Sequence, residues 1–229
     1  MTPVTIRIPG TDTHLQMKQK GLPVNQEALF LMEFLHETNI RPRRAAADLG
    51  CGSGLLTVAL ALLYPGIPVT GYEIQHALCD TARENVYLNG MDARVEVVPG
   101  DIRKPEDRPG DLTCDLVVMN PPFRTVGSGR VSPDSLRRSA NHELCGTLED
   151  FVTAASIALV HKGVLATVML PERFPELLQR MHARKIPAFA ARWIHHRMDL
   201  PANAVLILGR KGGRGGFTVY PPRLVTTPV

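Results

Sequence analysis

Apolar positions through the middle of the chain alternate between short β-rich runs and helix-length segments, the pattern that βαβ units leave in a sequence. Residues 45–49 form an apolar run that meets Gly50-Cys51-Gly52-Ser53-Gly54, and residues 55–64 read as a helix stopped by Pro65. The pattern then predicts a strand over 69–74, a helix over 76–89 ended by Gly90, and a strand over 95–98 running into Gly100 and Asp101. A fourth strand, 116–119, runs into Asn120-Pro121-Pro122-Phe123. Residues 124–147 show no clear period; the gap is too long for a passive connection in a compact domain and predicts a functional loop. Thr147 and Asp150 carry a capping-box pattern for a helix to about residue 161, followed by a strand over 164–170 and a helix from Pro175 to about 184. Strands over 189–194 and 204–208 read as a terminal hairpin.

With 229 residues, the chain has room for one ordinary α/β domain and a short extension. A hydrophobic share of 44% against 21% charged excludes disorder as the main state. The longest apolar stretches, 55–64 and 152–160, fall well short of a bilayer span, so no transmembrane helix is expected. The start, Met1-Thr2-Pro3-Val4, lacks a basic region followed by an apolar run, so no secretory signal is expected and a cytoplasmic location is. Cys51, Cys79, Cys114 and Cys145 form no C-x-x-C pair and read as reduced, core-filling thiols. His195 and His196 read as loop residues rather than metal ligands, Trp193 as packed against the sheet, and no metal is expected.

Net charge is +4, with 20 Arg against 6 Lys, a mild bias toward polyanionic partners. Two basic groups stand out, Arg41 with Arg43 and Arg44, and the span 192–214. Each fits a phosphate track and a solvated face equally well.

The chemistry gathers at the strand ends. In Asp48-Leu49-Gly50-Cys51-Gly52-Ser53-Gly54, a strand, a glycine turn and a helix start bring backbone N–H groups close to a ligand where side chains would block the approach. Leu55 stands where a dinucleotide fingerprint would carry its third glycine, which weakens a nicotinamide-cofactor reading. Glu73 ends the second strand, where a carboxylate accepts from a ribose diol, and Asp101 ends the third, placed for an adenine amine. In Asn120-Pro121-Pro122-Phe123 the prolines hold a rigid extended turn that offers the Asn side chain and the Pro121 carbonyl as two acceptors for a planar NH₂, with Phe123 placed to stack on a ring.

In this order and spacing, the glycine turn, Glu73, Gly100-Asp101-Ile102 and Asn120-Pro121-Pro122-Phe123 resemble the class I S-adenosylmethionine-dependent methyltransferases. More narrowly, Gln19-Lys20-Gly21 with Glu27 and the apolar helix over 28–35, and a closing strand over 216–224, resemble the bacterial N6-adenine methyltransferase family that acts beside the anticodon of a valine tRNA. The segment Leu22-Pro23-Val24-Asn25 lacks the aromatic that this family usually carries there. The resemblance implies a Rossmann-like, seven-stranded, mostly parallel sheet with an antiparallel last strand. Residues 1–44 would form an N-terminal substrate-side extension, and 45–229 the cofactor domain. S-adenosyl-L-methionine would lie against Asp48, Gly50, Cys51, Gly52, Glu73, Ile74, Asp101, Ile102 and Asn120, with Asn120, Pro121 and Phe123 at the transfer centre.

Three functions remain open on these residues. An RNA N6-adenine methyltransferase and a protein glutamine N5-methyltransferase both present a planar NH₂ to the Asn-Pro-Pro turn. Only about 44 residues precede the first predicted strand, too few for the helical N-terminal domain of protein-directed relatives, and no segment remains for a DNA target-recognition domain. That puts RNA first, with tRNA the expected partner. The third reading is a non-catalytic nucleotide- or RNA-binding module, against which the acidic corners and Asn120 argue.

Overall fold

The computed structural model describes residues 3–18, 26–121 and 146–225. An N-terminal hairpin of β1 (Val4–Arg7) and β2 (His14–Met17) is followed by α1 (Gln26–Glu37). The βαβ region then runs β3 (Ala46–Leu49), α2 (Leu55–Leu63), β4 (Val69–Glu73), α3 (His76–Leu88), β5 (Val95–Pro99) and β6 (Cys114–Met119). The remainder is α4 (Leu148–Ala158), β7 (Leu159–Met169), α5 (Phe174–Ala183), β8 (Ala188–His195), β9 (Ala204–Arg210) and β10 (Thr218–Leu224).

The strands β3 to β10 form one sheet in the order β10-β8-β9-β7-β6-β3-β4-β5. Strand β9 runs antiparallel to both its neighbours, and the other pairings are parallel. The sheet therefore has eight strands rather than seven, and its antiparallel member is the seventh in sequence, inserted between β7 and β8. The eighth strand is β10, which stands where the closing strand over 216–224 is expected, pairs with β8 at the edge and shifts register between Tyr220 and Arg223, across Pro221 and Pro222. Proline lacks the N–H that a central strand must donate, so this sequence is tolerated at an edge. The expected β8–β9 hairpin is present.

Side chains on the sheet alternate between two apolar layers, as a period of two requires. Ala46, Leu116, Val118, Ala166 and Leu206 face a core built with α1, α2, α3 and the β1–β2 hairpin. Ala47, Val117, Met119, Leu165 and Ile207 face a second core built with α4 and α5. The hairpin and α1 thus share the core of the sheet domain.

The Thr147–Asp150 capping box forms, with the Thr147 hydroxyl accepting the Asp150 N–H at 3.3 Å and Asp150 Oδ2 accepting the Thr147 N–H at 2.8 Å. The helix it opens ends three residues before the expected position, because the chain turns extended at Leu159 and β7 starts there. The basic span 192–214 does not act as one surface. Arg192 is buried, stacked 4.9 Å from the Phe34 ring centroid and paired with Glu37 at 2.5 Å, while Arg197 pairs with Asp199. Trp193 packs edge-on to Phe174, and His195 Nδ1 lies 3.0 Å from the Leu200 carbonyl.

No helix among the described residues is long and apolar enough to cross a membrane.

Candidate active site

The chain leaves β3 for β4 and β5 on one side and returns to β6 on the other, so β3 and β6 flank a topological switch point. Ligands of doubly wound sheets bind in the crevice at the carboxyl ends of such strands. A cavity of about 230 Å³ opens there, lined by Gly50 and Gly52 after β3, Tyr72 and Glu73 at the end of β4, Ile74, Gln75 and Leu78 beyond it, Gly100 and Ile102 after β5, Asn120 after β6, and Phe151 of α4.

The glycine turn makes close approach available in fact as well as in pattern. Gly50, Gly52 and Gly54 all take positive φ, at 72°, 56° and 86°, a region costly to residues with a β-carbon. A β-carbon on Gly52 would meet nothing within 4 Å, so this face stays open to a ligand, whereas one on Gly50 would lie 3.1 Å from the Phe151 ring. Gly71 on β4 serves another need. A side chain there would run into Thr57 Oγ1 at 2.8 Å and Cys51 Sγ at 2.9 Å, so its absence lets the turn and α2 press onto the sheet.

Two carboxylates underpin the turn. Glu73 is 6% exposed; its Oε2 accepts the Gly52 N–H and its Oε1 the Gln75 N–H, each at 2.9 Å. A carboxylate has about four acceptor positions, so two remain for a diol presented from the cavity. Asp48 lies deeper, on the α2 side of β3. The Thr57 hydroxyl donates to its Oδ2 at 2.7 Å, while Oδ1 is buried without a partner. Burial, opposed by the Thr57 bond and reinforced by Glu73, pushes the Asp48 carboxyl up to about 7.

The remaining sequence candidates divide. Ile74, Ile102 and Asn120 line the cavity with Gly50, Gly52 and Glu73. The Cys51 side chain does not; it fills the space against Gly71, and burial pushes its thiol well up. Pro121 is buried directly after Asn120, and Phe123 and residues 124–145 of the expected 124–147 loop lie outside the described residues. The Asp101 side chain is not part of the lining. Its oxygens accept from Arg103 Nε at 2.7 and 2.9 Å, Arg103 Nη2 at 2.6 Å and the Arg103 backbone N–H at 3.0 Å, and this clasp holds the carboxyl below the usual range. Tyr72, Gln75, Leu78 and Phe151 join the cavity without having been singled out by the sequence. Among the described residues, no group of three or more His, Cys, Asp or Glu is placed to hold a metal ion.

A switch point bordered by a glycine turn, a buried carboxylate with acceptor positions to spare and an Asn-Pro corner, in a mostly parallel sheet, is the arrangement of a class I S-adenosylmethionine-dependent methyltransferase fold. The T. thermophilus 16S rRNA N2 G1207 methyltransferase, solved with AdoMet and guanosine, matches this fold with a TM-score of 0.62 at 22% identity, over 91% of this chain and 50% of that one. Residues 24–181 match the methyltransferase small domain family, and the chain belongs to it. The tRNA1(Val) (adenine(37)-N6)-methyltransferase of Porphyromonas gingivalis is 34% identical over 132 residues, 57% of this chain and 51% of that protein. The rRNA N(6)-adenosine-methyltransferase metl-5 of Caenorhabditis elegans is 32% identical over 104 residues, 45% of this chain and 49% of that protein. The chain spans about half the length of the curated relatives it matches. S-adenosyl-L-methionine is the cofactor of this family and fold. The residues present fit it, with an open glycine cradle at Gly52, spare acceptor positions on Glu73 and an unpartnered buried oxygen on Asp48 beneath the turn.

Proposed function

We propose that the chain methylates the exocyclic N6 of an adenine in RNA, with tRNA the favoured acceptor and the cytoplasm its place of action. The observation that carries this reading is the position of Asn120, which opens onto the same cavity as Gly50, Gly52 and Glu73. The likeness to an adenine(37)-N6 tRNA enzyme and to an adenosine-N6 rRNA enzyme supports adenine and RNA over other acceptors.

The bound cofactor supplies a methyl group on a cationic sulfur. Glu73 would hold the ribose hydroxyls, and Asp48, beneath the turn, would supply negative charge there when a cation above it favours its ionised form. The Asn120 side-chain oxygen and the Pro121 carbonyl each accept one N–H of the target amine, which fixes its plane and directs the nitrogen lone pair at the cavity. As the nitrogen becomes cationic in the transition state, those two acceptors stabilise it more than they stabilise the neutral amine. The nitrogen–methyl bond would form as the methyl–sulfur bond breaks with its electron pair left on sulfur, and the proton would then pass to water, so no strong base is required. Phe123 is assigned to stacking on the base. Residues 1–44 are assigned to the substrate side. Asn85 of α3 supports this, accepting the Lys18 N–H at 2.7 Å through Oδ1 while donating through Nδ2 to the Ser53 carbonyl at 2.9 Å, so this extension is tied to the glycine turn.

The test is incubation with methyl-labelled S-adenosylmethionine and total RNA or total protein from cells lacking the enzyme. Ribonuclease-sensitive label is expected. Label on a glutamine side chain that resists ribonuclease would overturn the RNA assignment.

A further inference from the structure

Basic residues from the two clusters, far apart in sequence, meet with Lys162 at the end of the sheet opposite the glycine turn. A second cavity, about 390 Å³, is lined there by Arg41, Arg44, Lys162 and Arg210, with His161 and a single carboxylate, Asp115. Its elements are the segment leading into β3, the start of β7 and the end of the antiparallel β9, so it lies at the amino ends of the parallel strands. β6 is six residues long, which puts this cavity on the order of 20 Å from the glycine turn.

Its geometry is fixed by the backbone. Asp115 Oδ2 accepts the Arg43 N–H at 2.6 Å and the Arg44 N–H at 3.1 Å, so the one acid is engaged in shaping the loop that carries the arginines. Lys162 sits at φ 66°, and its N–H donates to the Lys211 carbonyl at 2.9 Å, tying β7 to the chain just beyond β9. The Arg210 guanidinium rests 4.8 Å from the Phe189 ring centroid. Lys211 is turned inward to the Ser156 and Leu159 carbonyls and does not add to the surface. Among the described residues, none of Arg41, Arg44, Lys162 or Arg210 is in an ion pair with a carboxylate. Four cations against one engaged acid leave an unneutralised charge of about three at a concave site.

We propose that this cavity binds backbone phosphates of RNA, giving the enzyme a second grip on its substrate at the end of the sheet away from methyl transfer. Guanidinium forks match phosphate oxygens in pairs, and the apolar part of the lining, Ile40, Pro42, Val160 and Val164, lies between the basic side chains. The proposal rests on the RNA reading of the preceding section, and its test is kept separate from transfer of label.

Labelled total tRNA is titrated with the full chain at a series of salt concentrations. Abolishing one bond to a phosphate lowers the slope of log affinity against log salt by about 0.7 to 0.9. The Arg41→Gln/Arg44→Gln/Arg210→Gln variant is expected to flatten that slope by about two units and to weaken binding at least tenfold at low salt, with S-adenosylmethionine affinity unchanged. Lys162→Gln, an exposed change that leaves the arginines in place, is expected to flatten it by about 0.7. An unchanged slope in a triple variant that still binds S-adenosylmethionine would overturn the proposal. So would an unchanged slope in Lys162→Gln if the triple variant fails to fold, or absence of tRNA binding by the wild-type chain. Methyl label arriving on protein would retire the acceptor assignment, while a flattened slope would still locate RNA at this end of the sheet.

Discussion

Asp48 ties the stability of the empty fold to the cofactor site, and the consequence is measurable. Its carboxyl is 1% exposed and has one hydrogen-bonded oxygen and one orphan, so the charged form is disfavoured and the midpoint rises from 3.8 to about 7. An acid whose midpoint is higher in the folded state favours folding when protonated. Its contribution is full below about 3.8, falls as the unfolded chain alone ionises, and levels off above about 7. At about 1.4 kcal/mol per unit of midpoint, the span corresponds to on the order of 4 kcal/mol lost between pH 4 and pH 8. Asp48→Asn keeps the shape and an acceptor for Thr57 but cannot ionise. Urea unfolding at pH 5, 6, 7 and 8 should show wild-type stability falling relative to that of the variant, with the gap growing toward pH 8. A cation bound over the turn stabilises the carboxylate, so S-adenosylmethionine affinity in the wild type should rise roughly tenfold from pH 6 to pH 8, and that rise should vanish in Asp48→Asn. Parallel stability curves for the two proteins from pH 5 to pH 8 would refute the reasoning.

Glu73→Ala removes the acceptors of the Gly52 and Gln75 N–H groups and those proposed for the ribose diol; calorimetry should show S-adenosylmethionine binding weakened by about 1–3 kcal/mol, and unchanged affinity in a folded variant would discard the assignment. Arg103→Ala releases the Asp101 carboxylate; if Asp101 takes the adenine amine, cofactor affinity should improve by up to about tenfold, and a variant with unaltered affinity would remove Asp101 from the site. The segment 124–147 carries Arg124, Arg130, Arg137 and Arg138 against Asp134 and Glu143, so replacing Arg137 and Arg138 together should flatten the salt dependence of RNA affinity by about one to one and a half units while cofactor affinity holds, which titration at several salt concentrations would check.

The elements that build the cavity were legible because their signals are local. Glycines at 50, 52 and 54, the acidic end of β4 and the Asn-Pro corner of β6 each sit where a periodic run stops, and doubly wound topology brings such stops to one edge. What stayed hidden depends on contacts that periodicity does not encode. The β1–β2 hairpin has strands of only four residues, too short for alternation to separate from chance. Asp101 has the sequence position of a free acceptor, yet Arg103, two residues on, folds back over it. Phe151 reaches Gly50 only because α4 docks across the second core. Arg192 had the composition of a phosphate track and is spent instead on Glu37 and Phe34.

The Asn120 corner is proposed to hold the N6 amine of an adenine in RNA for methyl transfer. The most direct measurement is single-turnover transfer from deuterated-methyl S-adenosylmethionine to total tRNA, with nucleosides resolved by mass spectrometry, for the wild type and Asn120→Ala at saturating substrate. Deuterated N6-methyladenosine is expected from the wild type, with most of that rate lost in Asn120→Ala and S-adenosylmethionine affinity retained. A near-normal rate in Asn120→Ala, or label on any other nucleoside position, would contradict this assignment.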